Sequence, residues 1–291
     1  MSYCVMTDTS ANLPSELLKE REIRVIAFPY FVDGEEHTCI DTEQFDGKAY
    51  YNKIRNGAIV TTSQINPLQY AEVMRPILQE GNDLLFVGMS SGISGSFHSA
   101  ELAAETLCEE FPDRRIKLVD ALTASLGEGI PALKAADLRD SGVSLNSAAK
   151  MLRNFCTCMC SVFTVDDLMH LKRTGRISGA VAVVGTVFQI KPLLKGSEEG
   201  KIVTYAKARG RKKAIEMLAE KYRQAAVNAK EQIVGIAHAD CPEDAALLAG
   251  LIRKAHPPKE ILTVCYEPVT GSHVGPGTLA LFFEGDRDVR K

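Results

Sequence analysis

The chain has 291 residues, 45% of them hydrophobic and 24% charged, with a formal net charge of −3, which fits one large or two ordinary globular domains. The slightly acidic balance argues against a nucleic-acid or polyanion binder. The longest apolar stretch, 177–194, is interrupted by glycines and ends in Lys191-Pro192, so it is too short and too broken for an integral membrane span.

Residues 1–8 show no basic region and no apolar core, so no secretory leader is expected. Eight cysteines without framework spacing fit free thiols in a reducing cytoplasm. Residues 3–7 form a β-rich start, followed by the polar turn Asp8-Thr-Ser10 and a short helix over 16–20. A single strand is expected over 25–32, closed by an Asp33-Gly34 turn. Asp41 is placed to cap a helix reaching Arg55, with Phe45, Tyr51 and Ile54 inward. Thr61-Thr-Ser-Gln64 bridges to a helix capped by Asn66 with Pro67 first. A buried strand over 83–88, a helix over 97–110, a strand over 115–119, a helix to 140 and one from Ser144 to 154 complete the first half. Strands alternating with helices imply a three-layer α/β/α domain with a mainly parallel sheet.

The second half reads differently. Residues 156–165 alternate like a strand, 166–172 look helical, and Ser178 is placed to cap a helix through 187. Strands at 201–208, 233–237 and 261–267 flank helices at 211–227 and 242–254. The chain closes with a glycine-flanked turn, Gly271-Ser-His-Val-Gly-Pro-Gly277, and an apolar strand over 278–283. This is a smaller two-layer α/β domain, dividing the chain into 1–155 and 156–291.

The stretch from Met89 to Ser99 puts two glycines and five serines where a strand's carboxyl end meets a helix start, a place where open α/β sheets bind ligands. Orphan amides and serine hydroxyls there suit a small anionic group; the plainer reading is a polar loop with capping serines. Thr61 to Gln64, Asp8-Thr-Ser10 and Asp120 fall at strand ends too, so parallel strands gather them near Ser94. Gly88-Met-Ser90-Ser-Gly92 matches the nucleophile elbow of serine hydrolases, with His273 late in the chain. Against that reading, Gly92 and Gly95 delay the helix, and no oxyanion segment precedes it. His273 supplies one imidazole, protonated or donating, that can meet an oxyanion; a lone loop histidine is otherwise plain surface. Cys156-x-Cys158-x-Cys160 puts three thiols on one strand face, but no second pair completes a zinc site. The cluster 207–213 carries five cations at a helix start, against the helix dipole, and fits either an acidic partner or a solvated face.

Six stretches taken together resemble the DegV family, in the same order along essentially the whole chain. They are Thr7-Asp-Thr-Ser-Ala-Asn-Leu-Pro14, Thr62-Ser-Gln64, Ser90 to Ala100, Asp166 to Ser178, Lys207-Ala-Arg-Gly210 and His273-Val-Gly-Pro-Gly277. The resemblance implies a non-catalytic, cytoplasmic bacterial protein that needs no cofactor. It would bind one long-chain fatty acid at a domain interface and present it to a separate ATP-dependent kinase subunit, whose acyl phosphate product enters phospholipid synthesis. By the same resemblance Thr62, Ser94 and His273 hold the carboxylate, with Ser63, Gly95 and Ser96 in support. Arg176 and Arg209 face the kinase or the phosphoryl group. The chain departs from the family at Thr174, where glycine is usual, and at Val274, where a hydroxyl beside the head group is lost. Residues 180–188 and the first domain's core are candidate tunnel walls.

Overall fold

The computed structural model describes residues 3–177 and 190–291. In chain order its elements are β1 (Tyr3–Asp8), α1 (Ser15–Glu20), β2 (Ile23–Ile26), β3 (Tyr30–Val32), β4 (Glu35–His37), α2 (Gly47–Arg55), β5 (Val60–Thr62), α3 (Pro67–Gln79), β6 (Asp83–Gly88), α4 (Ser96–Glu110), β7 (Ile116–Asp120), α5 (Leu126–Asp140) and α6 (Leu145–Cys158). There follow β8 (Met159–Thr164), α7 (Leu168–Arg173), β9 (Ile190–Gly196), β10 (Ile202–Arg209), α8 (Arg211–Ala225), β11 (Ile233–His238), α9 (Pro242–Ala255), β12 (Glu260–Cys265), α10 (Pro268–Val274) and β13 (Leu279–Glu284).

The chain divides into two units, Met1–Phe45 with Ile59–Cys156, and Asp46–Ala58 with Thr157–Lys291. The sequence division at 155/156 therefore omits an excursion. Residues 46–58 belong to the second unit, which is the longer of the two rather than the smaller. The excursion is tied by buried tyrosines. Tyr50 and Tyr51 donate to the carbonyls of Pro268 (2.7 Å) and Tyr266 (2.8 Å). Gly271 is glycine because the Tyr51 ring occupies the space a Cβ would need.

The first unit is built on a four-stranded sheet ordered β2-β1-β6-β7, all of whose pairs are parallel. Every residue of β6 is buried, the mark of a strand covered on both faces. Phe86 meets Tyr70 of α3 and Phe97 of α4, while α5 packs on β1 and β6. The expected strand over 25–32 is two strands in different sheets. Phe28-Pro29 separates them, because Pro29 has no amide to give to a ladder and the Phe28 amide is used by Thr9 Oγ1 at 3.0 Å. β3 instead joins β4 and β5 in a small antiparallel sheet. Asp41 does not cap a helix. It accepts from Ser15 Oγ at 2.7 Å and the Glu43 amide at 3.1 Å, bonds that hold its carboxyl below the usual range. Asp46 caps α2 through the Ala49 amide.

The second unit carries a six-stranded sheet ordered β10-β9-β8-β13-β11-β12, antiparallel except for the β11–β12 pair. α8 and α9 cover one face around Val162, Leu218, Leu248 and Leu281, with Tyr222 edge-on to Phe283 at 5.2 Å. The three-thiol strand face does not form. Leu145, Ala148, Ala149, Leu152, Phe155 and Cys156 are all buried, a helical spacing that carries α6 through Cys158, so only Cys160 lies in β8. β9 was not anticipated, because Pro192 speaks against an interior strand. Residues 178–189, with the expected helix from Ser178 and the apolar run 180–188, lie outside the described residues.

Candidate functional site

In the first unit β1 is flanked by β2 on one side and β6 on the other. The chain order therefore reverses between β1 and β6, which is where such sheets open a crevice at their carboxyl ends. The loop leaving β6 is fixed from below. The Met89 amide donates to Asp8 Oδ2 at 3.3 Å and the Ser90 amide to the Thr123 carbonyl at 2.9 Å. Ser91 Oγ donates to Asp120 Oδ2 at 2.6 Å. The Ile93 and Ser94 amides both return to the Ser90 carbonyl at 3.2 Å, closing a tight turn. Ser94 Oγ then accepts from the Ser96 amide at 3.2 Å. That bond uses a lone pair and leaves the hydroxyl hydrogen to donate.

α4 begins at Ser96, and Gly95 before it provides no side-chain cap, so the helix start presents orphan amides. A Cβ at Gly95 would strike the Gln64 carboxamide. The segment leaving β5 is thereby laid against the start of α4, and it brings Thr62 and Ser63 to the same edge of the unit as Ser94, Gly95 and Ser96. Thr62 and Ser94 are half-buried and Ser63 is exposed. Ser96 is buried and engaged with Tyr70 Oη at 3.0 Å, so it supports rather than contacts a ligand. Ser90 is fully buried and its Oγ accepts from the Gly92 amide at 3.1 Å. A nucleophile elbow needs the opposite, a serine exposed at the helix start.

One cluster escaped the sequence reading. Glu128, in the first turn of α5, is fully buried beside Asp8. Thr7 Oγ1 donates to its Oε1 at 3.0 Å, and Ser10 Oγ lies 2.5 Å from both Glu128 Oε2 and Asp8 Oδ1. Burial and the neighbouring Asp8 push the Glu128 carboxyl well above its ordinary range. The signal in sequence is an acid between two glycines at an otherwise apolar helix start. Gly129 allows the approach, since a Cβ there would lie 2.5 Å from the Ala11 carbonyl.

In the second unit His273 lies in the last turn of α10 rather than in a loop. Glu267 caps that helix through the Val269 (2.6 Å) and Thr270 (2.5 Å) amides, and Gly275 ends it at φ +82°. α7 and the turn after it dock on α10. His170 Nε2 is 2.6 Å from the Ser272 carbonyl, and Thr174 Oγ1 donates to the His273 carbonyl at 3.2 Å. Gly275 is close-packed as well, for a Cβ there would lie 2.8 Å from the His170 ring. Arg176 donates to the Thr174 carbonyl at 2.6 Å, and its charge reaches His273. Burial first, then Arg176 and His170, push the His273 imidazole down to about 3. The protonated alternative is thus removed at neutral pH, and a neutral ring that donates one N–H remains.

Arg209 is exposed at the end of β10, opposite Ile190. The neighbouring basic cluster is partly neutralised within the unit, with Arg211 against Asp244 (2.8 Å) and Asp166 (3.6 Å) and Lys213 against Glu216 (3.4 Å). Among the described residues no group of three or more His, Cys, Asp or Glu can hold a metal. Burial pushes the Cys160 and Cys241 thiols up to about 12, so both are protonated. No described helix is long and apolar enough to cross a membrane.

Residues 2–286 match the family model described as "Uncharacterised protein, DegV family". A DegV domain-containing protein of Clostridium perfringens is 38% identical over 284 residues, covering 98% of each chain. A DegV family protein from Thermus thermophilus, described for its fatty acid binding, superposes with a TM-score of 0.88 at 33% identity over 98% of this chain and 100% of that one. DegV of Bacillus subtilis, described as a fatty acid binding protein, gives 0.85 at 28% identity over 98% and 100%.

Proposed function

The chain belongs to the DegV family, and from that premise we propose that it binds one long-chain fatty acid and presents the carboxylate to a separate ATP-dependent kinase subunit. The observation that carries the reading is Ser94, whose Oγ takes the Ser96 amide at the start of α4 and whose hydroxyl hydrogen is left to donate. In the same unit Thr62 offers a second hydroxyl; by the family resemblance His273 of the second unit also serves the carboxylate, and there its neutral ring can give an N–H beside the charge of Arg176. A buried carboxylate needs such a set, because its desolvation is otherwise prohibitive. Charge-assisted hydrogen bonds contribute ~1.5–3 kcal/mol each.

The tail supplies the rest. Each buried methylene contributes about 0.8 kcal/mol, so a chain of about fourteen gives roughly 11 kcal/mol gross, against association costs of ~4–15 kcal/mol. Long chains therefore bind far better than short ones. The protein's own part is to hold and orient, and the phosphoryl transfer that makes the acyl phosphate belongs to the cytoplasmic kinase. Arg209, which has no ion pair among the described residues where Arg211 and Lys213 do, is the residue assigned to that partner.

Lipid extraction and mass analysis of protein freshly purified from bacterial cells tests the reading. About one acyl chain per protein is expected, and recovery of none would overturn it. A serine hydrolase would instead be labelled by a fluorophosphonate at Ser90. The buried, hydrogen-bonded Ser90 hydroxyl argues for no labelling.

A further inference from the structure

Two carboxyls lie together in the first unit, and among the described residues no cation is paired with either. Asp8 is 1% exposed and Glu128 0%. Burial pushes both carboxyls up, Glu128 well above its ordinary range with Asp8 adding to the shift, and Tyr70 of α3, kept neutral by its own burial, feels both. Between the two carboxyls stands Ser10 Oγ, 2.5 Å from Asp8 Oδ1 and 2.5 Å from Glu128 Oε2. A hydroxyl has one hydrogen. It can be given to one carboxylate only, and a second contact as short as this requires a hydrogen coming from the other side.

The donors around each carboxyl decide which side. Asp8 also receives the Ser10 amide at 2.8 Å and the Met89 amide at 3.3 Å, and both bonds favour its charged form. Glu128 receives one further bond, from Thr7 Oγ1 at 3.0 Å, and a direct hydrogen bond between the two carboxyls favours the neutral form of Glu128 and the charged form of Asp8. The hydrogen therefore sits on Glu128, on the side that faces Ser10 Oγ and Asp8, and Ser10 Oγ–H is donated to Asp8. The ionised Asp8 then holds the Met89 amide, the first residue of the turn that carries Ser94.

We propose that Glu128 keeps a resident proton at neutral pH, and that the chain Glu128–Ser10–Asp8–Met89 is the positioning device that sets the Met89–Ser94 turn for an acyl carboxylate. The second half rests on the reading of Ser94 as a head-group residue; the first half does not. The arrangement also leaves one negative charge where two carboxyls stand, which matters next to a site for an anion.

Infrared difference spectra of the delipidated full chain, wild type minus Glu128→Gln, test the proton directly. A protonated-carboxyl C=O band is expected at neutral pH in the wild type and not in the variant. Its absence overturns the proposal. Fatty acid retention tests the positioning. Glu128→Gln keeps a donor toward Ser10 and an acceptor toward Thr7, so it lowers retention less than Asp8→Asn does. Asp8→Asn turns a nitrogen toward a donor and lowers retention about tenfold, the loss of one charge-assisted hydrogen bond. Ser10→Ala severs the relay with the same result, and serves if Asp8→Asn does not fold. Equal losses in Glu128→Gln and Asp8→Asn would refute the positioning role. If the band is present but the wild type holds no fatty acid, the proposed function and the positioning role fall and the proton stands. If fatty acid is bound and the band is missing, the function stands and the proton falls.

Discussion

Acidification of the delipidated protein gives a quantitative test of how His273 is held. Its imidazole titrates at about 3 in the fold against an ordinary 6.5. Protonation is therefore easier in the unfolded chain, and stability is lost as pH falls below 6.5, levelling off near 3. Each unit of pKa difference corresponds to about 1.36 kcal/mol. At pH 5 the unfolded chain has gained roughly 1.5 units' worth of protonation, so His273 costs the fold about 2 kcal/mol there. Urea denaturation of wild type and His273→Gln at pH 8 and pH 5 isolates this contribution, since the other titrating groups are common to both. The wild type should lose about 2 kcal/mol more than the variant between the two conditions. Equal losses, or a His273 ring resonance titrating near its ordinary value in the delipidated protein, would refute the reasoning. Under the proposed function a carboxylate beside the ring acts in the opposite direction. An anion favours imidazolium, so the loaded protein should show His273 titrating higher than the empty one.

Glu128 works in the opposite direction. Its folded carboxyl is held well above 4.5, so its contribution is fully present below that value and is lost as pH rises toward its folded pKa. The slope is at most about 1.4 kcal/mol per pH unit, and Glu128→Gln should abolish it in denaturation series run between pH 4.5 and 8. Ser94→Ala should weaken fatty acid binding about 10- to 100-fold in calorimetry while leaving the thermal midpoint near wild type. Across a series of saturated fatty acids, each methylene removed should weaken binding roughly fourfold until the chain no longer reaches the walls. Arg176→Gln should raise the His273 titration midpoint in the empty protein and weaken fatty acid binding in the absence of any kinase; an effect seen only when kinase is added would leave Arg176 with the partner alone.

Much of the first unit was legible because its signals are local and repeated. Asn66-Pro67 marked the start of α3, where Asn66 and Gln69 form a capping box, and the unbroken apolar run 83–88 marked a strand buried on both faces. Pairing choices were not legible. The run 25–32 has the composition of one strand, and only the tertiary use of the Phe28 amide by Thr9 shows that it breaks. Asp41 and Asp46 are both suitable caps, and Ser15, distant in sequence, decides between them by occupying Asp41. Likewise the Cys156-x-Cys158-x-Cys160 alternation satisfied a strand period over five residues, while the longer 3.6-residue period from Leu145 satisfied a helix and prevailed. At the site, Thr62 and Ser94 were legible as hydroxyl clusters at strand ends, and the Gly95–Gln64 approach supplies the reason they share an edge. Glu128 was missed because a single acid in a glycine-rich first turn looks like an ordinary first-turn acid favoured by the helix dipole. Only burial and the Ser10 bridge give it another meaning.

The protonation states on the two sides of the proposed chemistry follow one rule. A carboxylate ligand brings one negative charge and several lone pairs. Hydroxyls and a neutral imidazole satisfy the lone pairs but carry no charge, so the charge must be balanced by a cation, and every fixed anion nearby must be limited. Under the proposed function Arg176 is the cation for the first demand; in the second unit its charge already helps to keep His273 neutral. Glu128 meets the second in the first unit by holding its proton, leaving Asp8 as the anion that the Met89 and Ser10 amides already satisfy. Were Glu128 ionised as well, two buried negative charges would lie behind the turn that offers Ser94, and the empty protein would resist the ligand it is built to hold. Glu128 in the first unit and His273 in the second are each held neutral by their own surroundings, and each has a titration that reports whether it is in place.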